Sequence, residues 1–211
     1  AFGDRDILQE ITLVLAQGTK AALTGANGCG KSTLMKIIAG VMQADTGNIS
    51  MEKNTRIAYL PQSGIVHTGK RLTEETETAF SYGAQLTAQL EAAGKRMSEE
   101  ADTAKSERLA HEYHDLQIKL EQSGWYFRQR LTDETLRGLG FTADDFTRFT
   151  DEFSGGWQMR IALAKILLSG ADILILDEPT NYLDIEARSW LEAWLKKFSG
   201  GFLLVSHDRS F

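Results

Sequence analysis

One short segment constrains this chain more than any other: Gly25-Ala-Asn-Gly-Cys-Gly-Lys-Ser-Thr33. The spacing G-x-x-x-x-G-K-[S/T] belongs to a loop between a strand and a helix that wraps a row of phosphates. Its surroundings fit. Ala21 to Thr24 reads as a strand, and beyond Gly30 the apolar period changes, with Leu34, Ile37 and Ile38 on one helical face and Gly40 as the expected helix end. Glycines let main-chain N–H groups turn inward, and the helix start adds the positive end of its dipole. Asn27, Gly28, Cys29, Gly30, Lys31, Ser32 and Thr33 are therefore candidate phosphate contacts, with Lys31 reaching the β/γ-phosphates and Ser32 available to Mg²⁺. A dinucleotide fingerprint is excluded, because Thr33 stands where its third glycine would be.

A second segment supplies what such a loop needs. Ile173 to Leu176 is a continuous apolar run of the kind buried on both faces of a parallel sheet, and it delivers Asp177 and Glu178 at its C-terminal end. Asp177 is the candidate Mg²⁺ ligand, and Glu178 lies where a general base for an attacking water is placed. With only two prolines, the other breaks are read from glycine. Strands are expected at Ile11 to Leu15, with a turn at Gln17-Gly18, and at Gly47 to Met51, Arg56 to Leu60 and Phe202 to Val205. Helices are expected at Gly155 to Leu168 and Ile185 to Phe198. The expectation is an α/β core built from 1–72 and 131–211.

Between these parts, 73–130 shifts to Ala, Glu, Lys, Gln and Leu without proline, which favours helix. Leu86, Leu90, Ala93 and Met97, then Leu109, Tyr113, Leu116 and Leu120, form two narrow apolar seams around a polar tip at Ser98 to Thr103. A projecting helical hairpin fits this pattern; two helices of a compact core are the other reading. Its charge is balanced, seven basic against eight acidic residues from Gly83 to Arg130, so RNA contact would need local clusters such as Lys95-Arg96, Lys105, Arg108, Arg128 and Arg130. Over the whole chain the formal charge of −6 argues against general attraction to nucleic acid or anionic membrane. A single cysteine excludes an internal disulfide framework and a multi-cysteine zinc site. No apolar run approaches the roughly 18 residues of a membrane span and no signal-peptide pattern opens the chain, so a cytoplasmic location without membrane insertion is expected.

Phe153-Ser-Gly-Gly-Trp157 resembles the signature motif of ATP-binding-cassette ATPases. Physically it is an anion site, since Ser154 and the N–H groups of Gly155 and Gly156 stand at an expected helix N-terminus. Other family elements follow in order. Gln62 in Tyr59-Leu-Pro-Gln resembles the Q-loop glutamine, Asp184 the D-loop aspartate, His207 the switch histidine, and Phe2 the aromatic that stacks on adenine. Asp177-Glu-Pro-Thr-Asn-Tyr-Leu-Asp184, Trp157, the closing Ser206-His-Asp-Arg-Ser-Phe211 and the long interval between Gln62 and Phe153 are similar to the ABC-F class, the translation-associated factors. Tyr182 replaces the histidine usual there.

The resemblance implies a P-loop cassette with an antiparallel β-subdomain and an inserted helical arm, resembling the first cassette of such a protein truncated at both ends. It implies ATP and Mg²⁺ as ligands, Ser32, Gln62 and Asp177 around the metal, and Lys31, Gln62, Glu178 and His207 in catalysis. A second cassette and the ribosome with its tRNA are the implied partners. The ATPase subunit of a membrane transporter, a repair ATPase with a long coiled coil, and a module that binds ATP only structurally are the alternatives.

Overall fold

The computed structural model describes residues 7–16, 18–100 and 102–206, without the side chains of 103 and 104. Phe2 and His207 lie outside the described residues. Four parallel strands, β1 (Lys20–Leu23), β2 (Ile57–Leu60), β3 (Ile173–Asp177) and β4 (Gly201–Val205), form one sheet in the order β1-β4-β3-β2. Lys20 lies opposite Phe202, Ile57 opposite Ile173, and Asp177 opposite Val205. Side chains alternate across such a sheet, and the apolar runs divide accordingly. Ala58, Leu60, Leu174, Leu176 and Leu204 enter the larger core, while Ile175, Leu203 and Val205 enter a smaller one on the other face.

Seven α-helices, with four short 3-10 turns among the described residues, pack about it: α1 (Lys31–Ile38), α2 (Leu72–Glu77), α3 (Ser81–Glu99), α4 (Thr103–Gln122), α5 (Arg128–Gly138), α6 (Gly155–Leu168) and α7 (Ile185–Lys197). Met35 of α1 seals the smaller core; α5, α6 and α7 pack on the larger one through Leu136, Ile161, Leu163 and Leu191. α1 ends as expected. Gly40 takes a φ of 71°, its N–H donates to the Ile37 carbonyl and that of Val41 to the Lys36 carbonyl, so two end carbonyls are satisfied. Among the described residues no helix is long and apolar enough to cross a membrane.

The expected antiparallel β-subdomain does not form among the described residues. Neither Ile11 to Leu15 nor Gly47 to Met51 is a strand, and the antiparallel pairing seen is an isolated bridge between Arg71 and Phe149. Strand-forming residues need a neighbour to close a ladder, and a lone pair of strands is marginal in water. Here Ile11, Leu13, Ile49 and Met51 are exposed around an open groove of about 1250 Å³, and β1 remains an edge strand of the four-stranded sheet.

The insertion folds as a helical hairpin, α3 against α4. Leu86, Ala93, Leu116 and Leu120 are buried in its seam with Leu90 and Tyr113 beside them, and Arg96 of α3 donates to Glu112 of α4 at 2.6 Å. At the tip the Asp102 carboxylate accepts from the Lys105 N–H at 3.2 Å and starts α4. At the base Trp125 lies directly on Gly83, where an added Cβ would sit 2.8 Å from the indole, and Arg128 lies over the same ring at 4.3 Å. At 1.5 Å per residue the 19-residue α3 reaches about 28 Å.

Candidate functional site

The loop from Gly25 to Gly30 lies between the C-terminal end of β1 and α1. Gly28 and Gly30 adopt φ values of 78° and 95°, and Gly30 starts α1 with no side chain capping the helix. The first N–H groups of α1 therefore have no intrahelical partner, the arrangement that accepts an anion. A Cβ on Gly30 would meet Ile7 and Leu8 at 2.6 and 2.9 Å, so the loop fits against the N-terminal segment only as glycine. Lys31 folds back across the loop, its Nζ donating to the carbonyls of Gly25 (2.9 Å) and Ala26 (3.0 Å). Cys29 is exposed on the same loop.

Asp177 ends β3, 2% exposed, and accepts a hydrogen bond from the Ser32 hydroxyl. Burial pushes its carboxyl above the ordinary value; the Ser32 hydroxyl pulls the other way, the Glu178 charge adds to the rise, and Lys36 and Lys31 oppose it. A buried acid incompletely matched by lysines is suited to a cation. Ser32 and Asp177, both expected around Mg²⁺, are thus in contact. Tyr59, on β2, brings a buried phenol near the same aspartate; burial, with the Asp177 charge adding, pushes it up to about 12.

Glu178 follows with a φ of 53°, a left-handed conformation that costs a non-glycine residue about 1 kcal/mol or more. Its N–H donates to the Val205 carbonyl at 3.0 Å. Its Oε2 accepts from Gln62 Nε2 at 3.2 Å and from Asn181 Nδ2. The expected base and the expected Q-loop residue are therefore joined directly.

Ser154 precedes α6 in an extended conformation with no side-chain cap bond; it and Gly155 are exposed, and Gly156 is half-buried in the first turn. Tyr182 touches this turn, since a Cβ on Gly156 would lie 3.5 Å from its Cδ1. Trp157 packs on Phe141 at 4.8 Å between ring centroids, and Arg160 lies over its ring at 4.3 Å. The same guanidinium donates to the Tyr182 carbonyl (2.7 Å), the Leu139 carbonyl (2.9 Å) and Asp184 (3.0 Å). Asp184 caps α7 by accepting from the Ala187 N–H at 2.9 Å; that bond lowers its carboxyl most, Arg160 lowers it further, and slight burial opposes both.

The sequence does not state the contacts of several residues that build this site. Asn181 and Tyr182 stand inside the motif that resembles the ABC-F class, but their bonds to Glu178 and Gln62 are not legible there, and Arg160 is one turn beyond the signature. Gln158 of α6 is buried and holds the segment after Gln62: its Oε1 accepts from the His67 N–H at 2.9 Å, and its Nε2 donates to the carbonyls of His67 and Thr150. A buried amide beside a glycine turn was the available signal.

The family model described as ABC transporter matches residues 8–181. The Uncharacterized ABC transporter ATP-binding protein YfmM of Bacillus subtilis is 37% identical across 100% of this chain and 40% of its own length. ABC transporter F family member 5 of Arabidopsis thaliana is 37% identical across 97% of this chain and 30% of its own. The chain thus spans less than half the length of these relatives. Among solved structures, a dimeric bacterial ABC transporter cassette shares the fold with a TM-score of 0.67 at 18% identity, over 99% of this chain and 84% of that one. With the phosphate loop, the acid pair and the signature turn in family order, the chain belongs to the ABC transporter family and is a cassette of the ABC-F type.

Proposed function

We propose that this cassette uses MgATP to close against a second cassette, and that the protein carrying it acts on the ribosome and its tRNA in translation or antibiotic protection. The observation that carries the ATPase half is the meeting of two pairs at the mouth of the phosphate loop, Ser32 with Asp177 and Gln62 with Glu178. Ser32, Asp177 and the Gln62 amide oxygen would hold Mg²⁺; its chemistry there is to neutralise charge on the phosphates. Lys31 exchanges its two loop carbonyls for phosphate oxygens, and the amides of α1 bind beside it. Glu178 takes the proton of the attacking water, and by family resemblance His207 supports the terminal phosphate while Phe2 stacks on adenine. Ser154, Gly155 and Gly156, at the start of α6, serve a nucleotide on the partner cassette. The division into a core of 1–72 and 131–211 and an arm-bearing 73–130 belongs to the same reading, as does a cytoplasmic location.

The hairpin supports the ribosomal half, because a seam with polar outer faces suits reach rather than core filling. The test replaces 83–124 with a short Gly-Ser bridge in the full-length protein, in a Glu178→Gln background that holds the closed state. ATP binding should persist while cosedimentation with ribosomes falls. Undiminished cosedimentation removes the arm from the contact, and absence of ribosome binding with the arm present favours a transporter's ATPase subunit.

A further inference from the structure

Gln62 and Glu178 lie on different segments, yet two consecutive residues hold both. Asn181 Nδ2 donates to the same Glu178 oxygen that Gln62 Nε2 reaches, and the Asn181 N–H donates to the Glu178 carbonyl at 3.3 Å, closing the turn that contains the left-handed glutamate. Tyr182 Oη donates to the main-chain carbonyl of Gln62 at 3.5 Å. The Tyr182 carbonyl is fixed by Arg160 of α6, and its ring lies against Gly156 in the signature turn. Gln62 is thus held at its side chain through Glu178 and at its backbone through Tyr182.

The chemistry gives this arrangement a direction. A carboxylate only accepts, so contact with Glu178 fixes the Gln62 amide with nitrogen toward the base and oxygen away from it. We propose that Asn181 and Tyr182 are positioning residues for hydrolysis: Asn181 sets the Glu178 carboxylate, and Tyr182 sets the loop carrying Gln62 and ties it to the signature turn of the same cassette. Asn181 acts through the Glu178 carboxylate and Tyr182 through the Gln62 backbone. The inference deepens the assignment of Gln62 as metal ligand and Glu178 as base, and it rests on that reading.

The test is a pair of double-mutant cycles on ATP turnover by the full chain, with kcat and KM separated. Loss of one hydrogen bond of ordinary net strength corresponds to about fivefold. Tyr182→Phe keeps the ring on Gly156 and removes only the hydroxyl; it should lower kcat about fivefold with KM for MgATP changed less than about twofold, and so should Asn181→Ala. Tyr182→Phe should add nothing once Gln62→Ala is present, and Asn181→Ala nothing once Glu178→Gln is present. Unchanged kcat in the two single variants overturns the inference, as does an undiminished effect in those backgrounds, which marks a merely structural role. If Gln62→Ala or Glu178→Gln alone leaves turnover unchanged, the site reading fails and the inference with it. That failure is told apart because it shows in those single variants before any cycle is closed.

Discussion

Replacing Glu75 with Gln cuts the buried charge cluster that ties the segment after Gln62 to the signature helix. Glu75, on α2, has a side chain 10% exposed; it is paired with Lys165 of α6, 25% exposed, and its Oε1 accepts from His67 Nδ1 at 2.9 Å. The variant keeps the shape of the side chain but leaves the Lys165 ammonium without its carboxylate. Breaking a fully buried pair costs about 3–5 kcal/mol, and with a quarter of Lys165 in solvent about 2–3 kcal/mol is expected here. Urea unfolding followed by tryptophan fluorescence measures it; the midpoint should fall by about 1 M with an unchanged slope. Glu75→Gln combined with Lys165→Met, which removes both charges, should return to within about 1 kcal/mol of the parent. Additive losses, or a single-variant cost below about 0.5 kcal/mol, would refute the coupling.

The cluster also sets the acid side of the stability profile. Burial alone would raise the Glu75 carboxyl, but the Lys165 hydrogen bond and charge, together with His67, bring it below its ordinary value of 4.5. Its contribution is therefore present above that value and is lost as pH falls through the lower folded one. Burial and then Lys165 lower the His67 ring below 6.5, with Glu75 opposing, so its share is present above 6.5 and declines as pH falls from there. Stability should fall in two acid steps, and Glu75→Gln should lack the lower one.

Two more outcomes test the phosphate site. Asp177→Asn should raise the thermal midpoint by about 2–4 °C without nucleotide, because burial disfavours the charged form at neutral pH, and should abolish the gain in ATP affinity from Mg²⁺; an unchanged midpoint would show the site to be unstrained. Saturating MgATP should slow alkylation of the exposed Cys29, read by mass spectrometry, and equal labelling would count against phosphate in the loop.

The elements read correctly from sequence are those whose side chains state their surroundings. Ile173 to Leu176 is apolar at every position and lies between two cores, and α6 runs from Gly155 to Leu168 as its pattern requires. α5 escaped because its buried face carries Thr132 and Thr135 beside Leu136, so burial there does not follow hydropathy. Ile11 to Leu15 erred the other way, having strand-forming residues without a neighbouring ladder. In the site, the loop, Asp177, Glu178 and the signature turn were readable because each is a local device. The roles of Asn181, Tyr182, Arg160 and Gln158 depend on segments that only the fold brings together, and no spacing within one motif encodes that.

The strand order carries a temporal consequence. Among the described residues β1, which leads into the phosphate loop, pairs with β4 alone, so the first described strand lies against the last. Closing so long a loop is entropically demanding and slow. During synthesis, everything from α1 to α7 can emerge before the strand behind the nucleotide loop has anything to lie against. Phosphate affinity is thus acquired late, when Gly201 to Val205 leave the exit tunnel, and the smaller core around Ile175 and Met35 closes in the same step as Leu203 and Val205 arrive. A nascent chain of this design has no working nucleotide site until it has been synthesised through that strand.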